Sequence, residues 1–218
     1  MIRVLLADDE VLIRAGVRAI LSKDPGIEVV AEAADGDEAV EAVRRYRPDV
    51  AVLDIQMPRL DGIAATARIH REVPGTAVAM LTTFGEDDFI ARALREGAGG
   101  FLLKAGDPRE LIAGVHAVAA GGAYLSRKVA ARVVAGLNTG RLAAGASRYP
   151  VDRLTERERD VLALLGGGLS NAEIGARLHL VEGTVKAHVS AIFGKLGVRN
   201  RVEAALAAYE AGWVDRNR

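Results

Sequence analysis

Carboxylates stand at the ends of two apolar runs, and carboxylate oxygens are the ligands that hard divalent cations prefer. Asp54 directly follows the apolar run 50–53, and the acidic triplet 8–10 directly follows the run 2–7. Short apolar runs of this kind predict buried strands of a parallel sheet, and open α/β sheets place ligands at the carboxyl ends of strands. A lone aspartate there is more often a helix cap or a solvated loop residue. Two strand ends with three aspartates instead predict one divalent-cation site.

Strand and helix patterns alternate around these acids in the first half of the chain. Five strand patterns and five helix patterns follow one another along the sequence, the strands at 2–7, 28–34, 50–53, 78–82 and 100–103 and the helices at 12–22, 37–46, 62–71, 87–96 and 108–120. Five βα units in about 120 residues predict a doubly wound, five-stranded parallel sheet of flavodoxin-like type with right-handed crossovers.

The composition narrows the class of protein. A chain of 218 residues is long enough for one large domain or two small ones. It contains no cysteine, which excludes disulfides and thiolate metal sites. Neither a signal peptide nor an apolar stretch of membrane-spanning length is evident, so we expect a cytoplasmic protein without a membrane partner.

The formal net charge of zero conceals an asymmetry between the two halves. Residues 1–121 hold 14 Lys and Arg against 20 Asp and Glu, a charge of −6, and residues 122–218 hold 15 against 9, a charge of +6. An acidic half joined to a basic half indicates two domains, the second facing a polyanion. We therefore predict domains at 1–121 and 151–218. The linker at 122–150 has a short helix pattern over 126–137 and is then rich in small and turn residues.

Four helix patterns and no strand pattern make up residues 151–218. Three of the helices have start signals, a cap residue with a glutamate three positions later, at Thr155 and Glu158, Ser170 and Glu173, and Asn200 and Glu203. A short helix over 170–178, a turn at 179–181 and a longer helix over 182–196 predict a helix-turn-helix within an all-α domain. An ordinary small helical bundle is the alternative.

Two ordered sets of motifs carry a resemblance to a known family. In the first half they are Asp8-Asp9, Asp54 with Met57-Pro58 and Asp61-Gly62, Thr82, and Phe101-Leu102-Leu103-Lys104. This set resembles the receiver domain of two-component response regulators. In the second half they run from Leu154-Thr155-Glu156-Arg157-Glu158 through Gly168-Leu169-Ser170-Asn171-Ala172-Glu173-Ile174 to Gly183-Thr184-Val185-Lys186-Ala187-His188 and Lys195-Leu196-Gly197-Val198. That set resembles a LuxR-type helix-turn-helix, and the whole chain is similar to the NarL/FixJ regulators.

The resemblance implies a phosphoacceptor site in the first domain. Asp54 would take a phosphoryl group from a phosphohistidine of a sensor histidine kinase, a transfer that needs charge neutralisation more than covalent help. Mg²⁺ would be bound by Asp9, by Asp8 directly or through water, by Asp54, and by the backbone carbonyl of Gln56. Lys104 would pair with a phosphoryl oxygen.

The resemblance also implies a switch that reports phosphorylation. The hydroxyl of Thr82 would move to another phosphoryl oxygen, and Phe101 would rotate into the space that Thr82 leaves. That rotation would alter the surface of the last receiver helix and strand.

In the second domain, the helix that begins at Glu182 would enter the major groove of duplex DNA. By resemblance, six residues contact or approach the DNA: Thr184 at a phosphate, Val185 and Lys186 at bases, and His188, Val189 and Lys195 on or near the DNA side. Lysine reads guanine acceptors and valine contacts the thymine methyl. Val189 has an equal claim to a place in the core.

Two features of this domain depart from or extend the pattern. Val181 stands where the family usually has Ser or Thr to cap the recognition helix, and valine has no side-chain acceptor. The last helix, over 200–213, has an apolar face that dimerises in this family, covers the domain's own core, or does both.

The resemblance implies a transcriptional regulator that is activated by phosphorylation and is not an enzyme. It would bind promoter DNA as a homodimer, with RNA polymerase as a further candidate partner. Three alternatives remain: a regulator whose receiver serves only for dimerisation or ligand binding, a receiver-controlled enzyme, and an RNA-binding output. The second half lacks a catalytic cluster and an aromatic stacking platform, which disfavours the last two.

Overall fold

The computed structural model describes residues 1–83, 87–126, 129–133 and 149–214, with residues 87 and 88 described by their backbone alone. These residues form two compact units. One unit contains Met1–Ala119, and the other contains the helices after residue 149. The division agrees with the charge asymmetry, while the exact domain limits at 121 and 151 stay a prediction.

The N-terminal unit is a parallel sheet covered by helices on both faces. Its strands are β1 (Ile2–Ala7), β2 (Ile27–Ala33), β3 (Val50–Asp54), β4 (Ala77–Thr82), β5 (Gly100–Leu103) and β6 (Tyr124–Leu125), in the order β2-β1-β3-β4-β5-β6. Its helices are α1 (Val11–Leu21), α2 (Gly36–Tyr46), α3 (Gly62–Glu72), α4 (Asp87–Arg95) and α5 (Pro108–Ala119). The doubly wound parallel sheet is confirmed, and the ten predicted elements begin and end within one residue of their predicted limits.

The buried centre of this sheet explains why the first strand patterns are apolar without alternation. The side chains of 50–53 in β3 are fully buried, as are those of 4–7 in β1. Helices cover both faces of a central parallel strand, so every position along it meets apolar neighbours. Since close-packed side chains hold β1 and β3 in fixed register, the acids that follow these strands have little freedom to move apart.

The sheet contains a sixth strand, so the prediction of five is too low. Tyr124 and Leu125 pair in parallel with Gly100 and Phe101 of β5, and the amide of Ser126 donates to the carbonyl of Phe101 at 3.1 Å. A two-residue strand is too short to show a hydrophobic period, which is why the sequence did not reveal it. The pairing ties the start of the predicted linker to the strand that carries Phe101.

The predicted linker helix at 126–137 is described only in part. Residues 129–133 are helical, with Val129 and Val133 buried, and the remainder of the predicted helix apart from Ser126 lies outside the described residues. Residues 138–148, the part of the predicted linker that is rich in small and turn residues, also lie outside the described residues.

The C-terminal unit consists, over residues 149–214, of a short 3₁₀ turn and four helices. These are α6 (Glu156–Gly166), α7 (Asn171–Leu178), α8 (Glu182–Leu196) and α9 (Arg201–Glu210). The three predicted caps are confirmed: Thr155 and Ser170 each form a complete capping box, and the side chain of Asn200 accepts from the amide of Glu203 at 2.9 Å. Helix α7, a turn through His179 in the left-handed conformation, and α8 form the helix-turn-helix.

Val181 occupies the N-cap position just before α8 and provides no side-chain cap, as the sequence indicated. Val181 has extended backbone angles, makes no cap hydrogen bond, and exposes 73% of its surface. Little apolar contact is therefore lost if it is replaced.

We predict that Val181→Ser raises the free energy of unfolding of the C-terminal unit by about 0.5–2 kcal/mol, because a serine hydroxyl accepts a hydrogen bond from the first turn of α8. The fluorescence of Trp213, the chain's one tryptophan, reports unfolding of this unit during a thermal or urea titration. Val181→Ala is the matched control and should change stability little. A loss of stability in Val181→Ser would show that the valine contributes packing that its exposure does not reveal.

Candidate functional site

A cavity of about 420 Å³ opens at the carboxyl edge of the sheet. The strand ends of β3 and β4 contribute Asp54 and Thr82, and the loops after β1 and β5 contribute Asp9 and Lys104. Also lining it are Glu10, Ile55, Gln56, Thr83 and Phe89. The sheet order places β1 beside β3, β3 beside β4 and β4 beside β5, so residues distant in the sequence meet at one edge. This is the position that the parallel-sheet argument predicted.

The start of α3 presses against the strand end that carries Asp54. Asp61 caps α3 by accepting from the amide of Ala64 at 2.7 Å, and the amide of Gly62 donates to the carbonyl of Ile55 at 3.0 Å. A Cβ atom on Gly62 would collide with the carbonyl oxygen of Asp54. The Asp61-Gly62 pair of the sequence motif is thus a packing requirement, since only glycine allows this close backbone approach.

The ammonium of Lys104 lies among three carboxylates. Its Nζ is 2.8 Å from Oδ2 of Asp8, 3.1 Å from Oδ2 of Asp54 and 3.2 Å from Oε1 of Glu10, while its side chain is only 4% exposed. The other oxygen of Asp54, Oδ1, accepts from the amide of Ile55 at 2.8 Å. The carboxylate of Asp54 is thus held in one orientation, with Oδ2 toward the lysine.

Burial and charge act in opposite directions on these groups. Burial raises the pKa of the Asp54 carboxyl, repulsion from Asp8 adds to the effect, and the hydrogen bond and charge of Lys104 only partly oppose it. Burial lowers the pKa of Lys104, but hydrogen bonds and attraction from Asp8 and Asp54 outweigh it, so its pKa lies above the ordinary lysine value. The lysine is therefore charged, whereas ionisation of Asp54 costs free energy in this buried, acidic surrounding. Binding of a further cation would lower that free-energy cost.

The acids fit a hard divalent cation. Asp8, Asp9 and Asp54 each offer an oxygen, and these oxygens lie within 4.8 Å of one another. Gln56 lines the same cavity two residues after Asp54. An all-oxygen donor set, with one exposed carboxylate that leaves room for retained waters, suits Mg²⁺.

The two predicted switch residues occupy neighbouring strands. Thr82 is buried at the end of β4 and lines the cavity, and Phe101 is fully buried in β5, in register with Met80 of β4. The structure thus brings together Asp8, Asp9, Asp54, Gln56, Thr82 and Lys104, with Phe101 one strand away. It also adds the contact of Glu10 with Lys104. The sequence showed Glu10 beside the aspartates but gave no sign of a contact between residues 94 positions apart.

The prediction that Val185 approaches the bases is wrong, and of the two places considered for Val189, the structure shows the core. Val185 is fully buried and Val189 nearly so, and both pack in the core of the helical unit with Ile174 and Ile192. Their spacing of four residues is the apolar period of an amphipathic helix, so they belong to the face of α8 that packs on the core.

The exposed face of α8 includes two residues that the sequence analysis did not name as candidates, Ala187 and Ser190. Lys186, Ala187 and Ser190 are exposed, and Thr184 and His188 are partly exposed. Residues four positions apart lie on the same face of a helix, so a count of four from Lys186 would have indicated Ser190. Ala187 is adjacent to Lys186 on the same exposed face.

The two lysines of α8 differ in their surroundings. Lys186 is exposed and pairs with Glu182, one turn earlier, at 3.3 Å. Lys195 donates at 2.6 Å to Glu158, the buried glutamate of the α6 capping box, and this hydrogen bond lowers the pKa of Glu158. Lys195 thus joins α8 to α6, and its predicted DNA contact stays a prediction.

An acidic cavity with a buried lysine at the edge of a doubly wound sheet, followed by a helix-turn-helix unit, defines a receiver joined to a DNA-binding effector. The chain belongs to the two-component response regulators with a LuxR-type DNA-binding domain. Residues 4–116 match the family model of the response regulator receiver domain, and residues 152–208 match that of the bacterial regulatory proteins of the luxR family.

Known proteins of the same organisation are similar over nearly the whole chain. The chain is 38% identical over 224 residues to the transcriptional regulatory protein DegU of Brevibacillus brevis, covering 98% of this chain and 95% of that protein. It is 34% identical over 215 residues to the nitrate/nitrite response regulator protein NarL of Escherichia coli strain K12, covering 99% and 95%.

The crystal structure of the response regulator ChrA of a heme-sensing two-component system is also similar to this chain, with 37% sequence identity and a TM-score of 0.54. The similarity covers 97% of this chain and 98% of that chain.

In the described part of this chain, no helix is long and apolar enough to cross a bilayer.

We predict that Gly62→Ala destabilises the N-terminal unit by about 1–3 kcal/mol, because the added methyl group overpacks the contact with Asp54. Gly75→Ala is the matched control, since a Cβ there meets nothing within 4 Å. Urea titration followed by circular dichroism measures both variants. Equal stabilities of the two variants would show that α3 moves away without cost.

Proposed function

We propose that this response regulator is activated when Asp54 takes a phosphoryl group from a sensor histidine kinase, with Mg²⁺ as cofactor. The observation that carries the proposal is the orientation of Asp54 at the cavity, with Oδ2 3.1 Å from the buried ammonium of Lys104. The P–N bond of the phosphohistidine breaks as a P–O bond to Asp54 forms, and the released imidazole nitrogen keeps the electron pair. The product is an acyl phosphate.

The residues of the cavity support this transfer by position and charge. Asp8, Asp9, Asp54 and the backbone of Gln56 would bind Mg²⁺, which neutralises charge on the phosphoryl oxygens when bound. Lys104 is already charged and needs only to exchange a carboxylate oxygen for a phosphoryl oxygen. Thr82 lines the same cavity, and its hydroxyl would donate to another phosphoryl oxygen.

The sixth strand offers a route by which the receiver could report this event. Thr82 in β4 pairs with β5, and Phe101 of β5 pairs with Leu125 of β6, with Ser126 bonded to the Phe101 carbonyl. A shift of Thr82 and Phe101 would therefore pass through backbone hydrogen bonds into residues 124–126. Because these residues begin the predicted linker, they lead toward the DNA-binding unit.

We expect acetyl phosphate and Mg²⁺ to add one phosphoryl group to the wild-type protein and none to Asp54→Asn, because the amide is not a nucleophile for this transfer. Intact-mass measurement detects the added group. Asp37→Asn, an exposed aspartate at the start of α2, is the matched control and should be labelled as the wild type is. Equal labelling of Asp54→Asn and wild type would exclude Asp54 as the acceptor.

We further propose that α8 enters the major groove of promoter DNA, with Lys186, Ala187 and Ser190 toward the bases and Thr184 and His188 toward the backbone. The support is the exposure of these residues on a helix-turn-helix unit in the half of the chain with charge +6. Phosphorylation would favour a homodimer whose two α8 helices reach half-sites one DNA turn apart. RNA polymerase is a further partner, and the protein would act in the cytoplasm where the DNA is.

We predict that Lys186→Ala weakens binding to a specific site by about 1–3 kcal/mol, and weakens binding to random sequence less, because a lysine that reads a base discriminates among sequences. Gel shifts at several salt concentrations measure both. Lys23→Ala, an exposed lysine of the receiver, is the matched control. Equal loss on both DNAs would assign Lys186 to a phosphate, and binding that ignores salt would contradict the groove arrangement.

A further inference from the structure

Glu10 stands at the helix-cap position of α1 but does not act as a cap. Its backbone angles are extended, as a cap requires, yet its side chain accepts no hydrogen bond from the first turn. Ser, Thr, Asp or Asn at this position would stabilise α1 by about 1 kcal/mol. The glutamate carboxylate instead reaches across to β5, where its Oε1 lies 3.2 Å from Nζ of Lys104.

The position of Glu10 differs from that of the other acids at the cavity. Among the described residues, the cavity and its edge hold one ammonium, that of Lys104, and four carboxylates, a formal charge of −3. The carboxylates are those of Asp8, Asp9, Glu10 and Asp54, and all but Asp9 contact the ammonium. The three aspartates serve as acceptor and cation ligands in the function proposed above. Glu10 has neither role, and its side chain is 60% exposed where the cavity opens to solvent.

The carboxylate of Glu10 has two effects that act in the same direction. It shares Lys104, so a phosphoryl oxygen that approaches the lysine must displace it. It also places a negative charge beside the path by which a small anionic donor reaches Asp54. Both effects oppose a phosphoryl donor in proportion to the donor's own negative charge.

We infer that Glu10 is a specificity-determining residue that slows phosphorylation of Asp54 by free anionic phosphodonors. It does so by holding Lys104 and by repelling the donor at the cavity entrance, without touching the reacting atoms. The inference rests on the proposed function, because it assumes that Asp54 is the acceptor.

Two small donors of different charge test the inference. At neutral pH acetyl phosphate is a dianion and phosphoramidate a monoanion. With acetyl phosphate a P–O bond breaks, the bond to Asp54 forms and acetate leaves. With phosphoramidate, whose monoanion already carries the proton on nitrogen, a P–N bond breaks and ammonia leaves. The bond formed at Asp54 is the same, so the charge of the donor is the principal electrostatic variable.

We expect Glu10→Gln to raise the rate of labelling by acetyl phosphate about three- to tenfold. The rate of labelling by phosphoramidate should rise by about the square root of that factor. The reason is that the substitution removes one unit charge at a solvated site, and the repulsion lost is about twice as large for a dianion as for a monoanion. The increase should shrink as salt is added, because salt screens exposed charges. Glu28→Gln is the matched control: Glu28 is exposed at the opposite end of the sheet, where β2 pairs with Arg3 of β1.

A second measurement does not depend on phosphorylation or on Mg²⁺. Inorganic phosphate is titrated into the isotope-labelled protein without Mg²⁺, and the amide signals of Thr82 and Lys104 are followed by NMR. Glu10→Gln should bind phosphate more tightly than wild type, by a factor similar to the acetyl phosphate effect. Glu10→Asp keeps the charge but shortens the side chain by one methylene, so it should fall between wild type and Glu10→Gln if the hold on Lys104 contributes.

The outcomes separate this inference from the function on which it rests. If neither donor labels wild-type Asp54, the proposed function fails. If wild type is labelled at Asp54 but Glu10→Gln changes the two donors equally, slows both, or leaves both rates and the phosphate affinity unchanged, then the inference about Glu10 is wrong and the acceptor assignment stands.

Discussion

The ion pairs of Lys104 are the interaction on which the receiver unit depends. A buried ammonium requires partners, and Asp8 and Asp54 provide them at 2.8 and 3.1 Å. Such a cluster is a poor way to gain stability, because desolvation offsets much of the attraction and apolar residues of similar volume often do better. The raised pKa of Asp54 shows that one lysine does not fully compensate the crowded acids. Under the proposed function this cost has a use, since the acids are held in position before the cation and the phosphoryl group would bind.

The contacts of Lys104 require the ends of β1, β3 and β5 to lie at the same edge of the sheet. Some of the features that position the elements of this fold are local, so they could be recognised in the sequence. Nearly continuous apolar runs predicted β1 and β3 because both faces of a central parallel strand are covered. Capping boxes at Thr155 and Ser170 predicted helix starts because they join residues three positions apart. The Asp61-Gly62 pair was recognised in the sequence as part of a motif. The need for glycine at residue 62, which is its close contact with the Asp54 carbonyl, is seen only in the structure.

What the sequence did not show is pairing between distant segments. The strand at 124–125 is defined by its hydrogen bonds to β5 and by no period of its own. The hold of Glu10 on Lys104 and that of Lys195 on Glu158 join residues 94 and 37 positions apart. Val185 shows a different kind of error. Its spacing of four residues from Val189, which was already a candidate for the core, indicated a buried face of the helix, but the motif assigned Val185 to the DNA side.

Two lysines are proposed to contact ligands, Lys186 a DNA base and Lys104 a phosphoryl group. Both pair with carboxylates in the ligand-free chain, and the strength of each pairing differs with burial. Lys186 pairs with Glu182 on an exposed helix surface, where such a pair contributes about 0.3–0.5 kcal/mol and yields readily to DNA. Lys104 is buried among Asp8, Asp54 and Glu10, so it changes partner only when new charge enters the cavity. Binding at either site is therefore an exchange of one partner for another, and its net gain is smaller than a count of the new contacts suggests. An exposed exchange suits rapid sampling of DNA, whereas a buried exchange suits a switch that should stay off until a phosphoryl group arrives.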